Sequence, residues 1–348
     1  MAETAPVRSG TRLSPEEDTA FRAGMQAAAI RPFWEINTQH SDEPVSEPPF
    51  LWRWKSIEPL VDAAVRSISV EDADRRALSF ANPNLAELGR SGATTNLVAA
   101  VQVVEPGERA PAHRHTMGAL RFAVKGEGIV TVVEGKRCPM QPGDIIFTPN
   151  WTWHEHVNEG SDRALFIDVL DVPLHRYLKD AFYESGPAKD LPTPLPDAAF
   201  AAATMMPDLG TEQKKPYSPV FRYAWSTAVA ALDHVPAAAD GSRKLRYVNP
   251  LTGESAMELM DVFLLGLAKD RDTRTMRSTS NSLCIVSEGA GTSRIGDETF
   301  TWEQNDVFTV PHWKWVTHRA DVAGTKLVVV TDRDLMRRLN LLRDEFAD

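Results

Sequence analysis

The sequence predicts a mainly-β protein, a duplicated β-barrel preceded by helices. From Thr95 onward, short strand-like runs are cut at regular intervals by turn signals such as Glu105-Pro-Gly107, Lys125-Gly-Glu-Gly128 and Gln141-Pro-Gly-Asp144. Many short strands so spaced mean a sandwich or barrel. A second run over roughly 257–331 repeats the landmarks of the first. Pro149-Asn-Trp-Thr-Trp-His-Glu-His156 lines up with Pro311-His-Trp-Lys-Trp-Val-Thr-His318, and Lys125-Gly-Glu-Gly128 with Glu288-Gly-Ala-Gly291. Self-similarity on this scale marks a repeated unit, and 348 residues suit two barrels better than one.

Taken in order, the first ten residues are expected to be disordered. Ser14-Pro-Glu-Glu then opens a helix, with serine as cap, proline in the first turn and acids at the positive end of the dipole. That helix is expected to run to about Ala29. Residues 32–59, rich in Pro and carrying Trp34, Trp52 and Trp54, are expected to be extended. Further helices are expected at about Glu58–Ser67 and Val70–Leu78. The alternation Leu97, Ala99, Val101, Val103 has the period of a strand. A Pro- and Ala-rich stretch near 179–219 reads as linker, and a closing helix is expected over Asp332–Glu345. The division is then a helical and extended segment at 1–94, a working barrel at 95–178, a linker with helices at 179–250, and a second barrel with the closing helix at 251–348.

The bulk numbers narrow the function classes. A net charge of -10 argues against nucleic acid, which needs a basic footprint. Two distant cysteines, Cys138 and Cys284, argue against a disulfide framework or thiolate zinc site. Neither a signal-peptide core nor a membrane-length apolar run is read, so a cytoplasmic protein without membrane partners is expected.

The chemistry concentrates in a few histidines. His113 and His115 are two apart, so on a strand they point to one face, and a neighbouring strand can add His154. Three imidazoles converging from strands make a metal site. Their equivalents in the second repeat are Met276, Ser278 and Val316, which leaves that barrel metal-free. Glycine and proline spacing around the histidines resembles the two signature motifs of the cupin superfamily, jelly-roll barrels also described as double-stranded β-helices. The chain is therefore expected to be a bicupin. The glutamate ligand usual in the first motif is absent, since Ala119 and Leu120 stand at its positions. Three neutral imidazoles leave the 2+ charge of an ion uncompensated, which favours an anionic chelating ligand.

A closer resemblance lies in His113-Arg-His-Thr-Met-Gly-Ala-Leu-Arg-Phe122, Trp151-Thr-Trp-His-Glu-His156 and Asp168-Val-Leu-Asp-Val-Pro173. These resemble the gentisate 1,2-dioxygenase family, which includes dioxygenases of salicylate and 1-hydroxy-2-naphthoate. The resemblance implies one Fe(II) per chain on His113, His115 and His154, with O2 as cosubstrate. It also implies a small aromatic hydroxy-acid substrate and a homotetramer. Arg121 then matches a residue on the substrate's carboxylate side, His156 one near substrate and oxygen, and Gln102 a pocket glutamine. Asp168 matches the first acid of a family turn. Either Arg75 or Arg76 matches a pocket arginine, and Arg76 is taken as the one facing inward. Met117 and Gly118 stand where relatives that cleave gentisate often carry Gln-Ser, and Ala100 where a glycine is common. These three residues are expected to line the pocket and to favour 5-substituted salicylates beside gentisate, with cleavage between the carboxyl- and hydroxyl-bearing carbons.

Two other readings stay open. The same ligand set suits a zinc-dependent hydrolase or isomerase. A non-catalytic bicupin that binds an aromatic acid, as a store or a sensor, is the alternative outside enzymes.

Overall fold

The computed structural model describes residues 13–36, 46–87, 91–202, 205–208 and 215–347. The expected disorder of the first ten residues falls outside them. Two compact units are present, Met1–Val45 and Ser46–Asp348. In the first, the helix Pro15–Ala27 starts as the sequence dictates: the Ser14 hydroxyl accepts from the Glu17 amide and Glu17 returns a bond to the Ser14 amide. Trp34 sits in a short helix, Phe33–Ile36, where an extended chain was expected.

The second unit is the expected pair of barrels, each made of two antiparallel sheets. In the first barrel one sheet runs Arg222–Tyr223, Ile145–Thr148, Ala119–Lys125, Ala164–Leu170, Val98–Val104, Ala77–Ser79. Its partner sheet runs Tyr183–Ser185, Arg109–His115, His154–Asn158, Ile129–Val133, Lys136–Pro139. The second barrel repeats both. Its sheets run Leu51–Trp52, Val307–Val310, Ser282–Glu288, Lys326–Thr331, Asp261–Gly266, Arg243–Arg246 and Asp344–Phe346, Met276–Ser278, Val316–Ala320, Ala290–Ile295, Glu298–Glu303.

The repeat holds at the level of single contacts. His113 lies across from His154, and Met276 across from Val316. Arg114 stacks over Trp151 and Trp153 at 4.5 and 4.8 Å, and Arg277 over Trp313 and Trp315 at 4.3 and 4.6 Å. In both barrels the tryptophan pair is thus a platform for an arginine.

Strand membership crosses between the halves. Leu51–Trp52, from the segment before the first barrel, pairs with Val307–Val310 of the second. Arg222–Tyr223, from the stretch read as linker, pairs with Ile145–Thr148 of the first. A helix follows each of these strands, Trp54–Ser67 and Trp225–His234. Neither N-cap residue, Arg53 or Ala224, makes a side-chain capping bond. The carboxylates of Asp306 and Asp144 instead accept the first helical amides, Trp54 N–H at 2.7 Å and Trp225 N–H at 2.9 Å. The first of these helices packs on Val98–Val104 and the second on Arg243–Arg246 and Asp261–Gly266.

Three helical expectations change. One helix begins at Trp54 rather than Glu58 and contains Pro59. The helix from Val70 stops at Ala73, because Asp74 turns to φ 57° and Ala77–Ser79 joins the sheet beside Val98–Val104. The closing helix spans only Arg333–Arg338, and Asp344–Phe346 then pairs with Met276–Ser278. Both cysteines are free and buried. Among the described residues no helix is long and apolar enough to cross a membrane.

Candidate metal centre and substrate pocket

His113 and His115 share one face of Arg109–His115, and His154 enters from the neighbouring strand directly opposite His113. One ring nitrogen from each comes within 4.8 Å of those of the other two. All three side chains are buried. Their Nδ1 edges point at backbone carbonyls two residues away: Pro111 at 3.2 Å, Met117 at 2.8 Å and Thr152 at 2.9 Å. At His115 and His154 a ring that donates from Nδ1 keeps the Nε2 lone pair, the form a metal takes, while Nδ1 of His113 also meets the Arg75 guanidinium. The Nε2 of His154 is buried without any hydrogen-bond partner. This donor set fits a divalent ion, with His113, His115 and His154 as its holders.

Electrostatics keep these rings neutral. Burial, then the charge of Arg75 and the neighbouring His115, push the His113 pKa down to about 2. Burial chiefly pushes His115 down to about 4, against the opposing pull of the Met117 carbonyl. Burial holds His154 and His156 well below the ordinary histidine value, with Arg121 adding to it in both.

The facing sheet supplies the polar wall. Asp168 lies across from both Arg121 and Ala100, which puts these three on one face, and Gln102 shares it by strand parity. Arg121 donates from Nη1 to the Thr148 hydroxyl at 2.7 Å, and its Nε stands 3.2 Å from Asp168 Oδ1. The Nε–Oδ1 contact is an ion pair without hydrogen-bond alignment, since both atoms lack a hydrogen-bond partner. Burial lowers Arg121 to about 10 and raises Asp168 to about 6, each partly countered by the other's charge. Gln102 is fully buried with neither amide atom bonded, and the Nε2 of His156 is likewise unbonded. Such orphaned groups are costly unless a ligand completes them. Their clustering in one lumen marks a place for a polar ligand.

Not every expected pocket residue is where the sequence put it. Arg76 turns away, pairing with Glu108 and donating to the Ile68 carbonyl at 3.2 Å. Arg75 is the member that reaches the histidines, its guanidinium lying against Nδ1 of His113 and donating to Pro111 O at 3.2 Å. The turn at Asp74 reverses the pair relative to a continued helix. Gly118 is closely surrounded. A side chain there would meet Asn150 Oδ1 at 2.7 Å and Met257 Cε at 2.9 Å, and Met257 belongs to the core between the barrels. Its neighbour Met117 contributes a carbonyl to His115, and its sulfur accepts from the Thr116 hydroxyl at 3.5 Å.

Sequence reasoning missed Thr148 and Tyr183. Thr148 was findable as the one polar residue ending the apolar strand Ile145–Thr148. Tyr183, whose ring stacks on His113 with centroids 5.4 Å apart, lies in a stretch with no strand signal. In the second barrel, register puts Cys284, Val329, Phe263 and Leu265 at the places of Arg121, Asp168, Ala100 and Gln102. Only His318, the equivalent of His156, survives from the polar set.

Known proteins match this arrangement. A cupin domain model covers residues 100–170. The chain is 35% identical to a gentisate 1,2-dioxygenase of Aquipseudomonas alcaligenes over 94% of its own length and 96% of that protein's. It is 33% identical to a 5-aminosalicylate 1,2-dioxygenase of Comamonas over 94% and 89% of the two chains. The crystal structure of a salicylate 1,2-dioxygenase from Pseudaminobacter salicylatoxidans superposes with a TM-score of 0.88, at 30% identity and 97% and 99% coverage. With its two jelly-roll barrels and a trio of histidines in one of them, the chain belongs to the gentisate 1,2-dioxygenase family of bicupin, aromatic-ring-cleaving dioxygenases.

Proposed function

We propose that this enzyme opens the ring of a 2-hydroxybenzoate between its carboxyl- and hydroxyl-bearing carbons, using O2 and one Fe(II) held by His113, His115 and His154. Gentisate and 5-substituted salicylates such as 5-nitrosalicylate are the substrate candidates. One observation carries the reading: three neutral imidazoles face, across a single lumen, the buried cation Arg121. A ligand with two negatively charged oxygens suits both walls at once.

Bound there, Fe(II) would supply open positions for a chelating acid and for dioxygen. The protein does the rest. Arg121 pairs with the substrate carboxylate and fixes its angle, since a charge-assisted guanidinium bond is directional. Asp168 and Thr148 hold that guanidinium in place. Gln102 offers a donor and an acceptor to the ring substituents, and His156 presents Nε2 from the face that carries His154. Ala100, opposite Asp168, narrows the pocket beside Arg121 and sets how much ring fits. Burial of all these groups keeps bulk water from the reacting carbons. The same reading takes the chain as a cytoplasmic homotetramer, which cell fractionation and sedimentation would check.

The test is a screen by oxygen electrode. Protein loaded anaerobically with Fe(II), or with zinc as control, is offered gentisate, 5-aminosalicylate, 5-nitrosalicylate, salicylate and 1-hydroxy-2-naphthoate. Oxygen uptake with a ring-opened product, restored by iron and not by zinc, is the expected result. No uptake with any of these acids rejects the proposal.

A further inference from the structure

We infer that Thr131 and Met140 hold His156 as the tautomer protonated on Nδ1, so that its Nε2 presents a lone pair to the lumen of the first barrel. The inference rests on the reading that His156 works in that lumen, and it makes Thr131 and Met140 positioning residues.

The second barrel supplies the comparison. Thr131 lies across from His156, and Ser293 across from His318, in the same register. Both pairs are hydrogen-bonded through Nδ1, at 2.9 Å and 2.7 Å. A hydroxyl that meets a ring nitrogen can donate or accept, and its third partner decides which. In the second barrel that partner is Trp302, whose Nε1 reaches Ser293 Oγ at 2.8 Å. Indole N–H only donates. Ser293 accepts from Trp302, and the acceptor its own hydrogen meets is His318 Nδ1, an arrangement that leaves no hydrogen unspent and places the ring proton of His318 on Nε2.

In the first barrel the same register position holds Met140, whose sulfur is 3.2 Å from Thr131 Oγ1. A thioether only accepts. Thr131 can then direct its hydrogen to the sulfur and accept the Nδ1 hydrogen of His156. The opposite arrangement would leave a fully buried N–H at Nε2 with no acceptor, in a lumen that also contains Arg121. An N–H dipole turned toward a guanidinium is repelled and a lone pair is attracted, so the field selects the arrangement that the sulfur permits. The exchange extends to the facing strand. Gly291 lies across from Trp302, where an added Cβ would come within 2.6 Å of the indole, and Ile129 stands across from Met140.

The test reads the tautomer directly. Full-length protein labelled with 15N-histidine and loaded with zinc gives one- and multiple-bond 1H–15N correlations, with His156 assigned by loss of its signals in His156→Gln. The expected pattern is a pyridine-type Nε2 and a pyrrole-type Nδ1. Met140→Leu keeps volume and removes the sulfur, so the pattern inverts. In the iron-loaded variant kcat falls about tenfold while KM changes less, short of the roughly 100-fold or more that outright loss of an acid–base group would give. Thr131→Ser retains the wild-type pattern and rate. A pyrrole-type Nε2 in the wild-type protein overturns the inference, and so does an unchanged pattern in Met140→Leu. The wild-type spectrum decides even where a variant fails to fold. If His156→Gln turns over at the wild-type rate while the spectra behave as expected, the working role of His156 fails and its tautomer assignment stands.

Discussion

Arg121 and Asp168 face each other on adjacent strands, with Nε and Oδ1 3.2 Å apart and both side chains buried. Burial disfavours both charges, so the pair leaves Arg121 with unspent attraction for a further anion. Asp168→Asn strips the buried guanidinium of its counter-charge. The expected outcome is a loss of about 3 kcal/mol of stability in denaturant unfolding, partly restored by a saturating aromatic acid. Equal stability of the variant and the wild type would show that the pair is solvated.

The histidine trio gives a metal prediction. His113→Ala should drop the metal content from one ion per chain to near zero by elemental analysis. Met276→Ala, at the matching place in the second barrel, should leave it unchanged. Metal retained by the first variant would remove His113 from the ligand set.

Proton uptake supplies a third test, on metal-free protein. His113 and His115 are neutral in the folded state down to about 2 and about 4, and His154 and His156 lie well below 6.5. The unfolded chain protonates these rings near 6.5 and the folded chain does not. Their contribution is thus present above 6.5 and is lost as pH falls toward the folded values. Each ring contributes a slope of about 1.4 kcal/mol per pH unit in that window. Asp168 acts in the opposite sense: raised to about 6, it favours the fold below 3.8 and loses that contribution as pH rises through 6. Stability should therefore fall between pH 6.5 and 5 more steeply than in His156→Gln, which has one buried ring fewer to protonate. Equal slopes would mean that His156 is accessible to protons in the folded chain.

Gly118 and Ala100 should separate cleanly. Gly118→Ala pushes on Asn150 and Met257, so a loss of about 1–2 kcal/mol is expected with substrate ranking unchanged. Ala100→Gly enlarges the lumen beside Asp168 and should shift the ranking among 5-substituted salicylates. A changed ranking in the Gly118 variant, measured by kcat/KM, would show that this residue touches the substrate.

The parts legible in the sequence were those with a local signature. The serine cap at Ser14, the glycine turns, the paired histidines and the duplication all follow from short-range rules, and each appears in the fold. What escaped was set at long range. The helix at Trp54 has no adjacent cap because its cap, Asp306, lies 252 residues further along the chain. Ala77–Ser79 is a strand only because the edge of Val98–Val104 is open to it. The choice between Arg75 and Arg76 turned on the backbone at Asp74, a non-glycine residue at positive φ that propensity does not foresee. The crowding at Gly118 was equally out of reach, since Met257 comes from far down the chain.

The exchanged strands bear on how this protein can be cut or inherited. Residues 95–178 alone would lack Arg222–Tyr223 and Ala77–Ser79, leaving both flanks of one sheet bare. The silent half would in turn lose Leu51–Trp52, which is encoded ahead of its working sibling. Truncation at the apparent midpoint therefore wounds both halves, since each leaves behind a strand that the other's sheet needs.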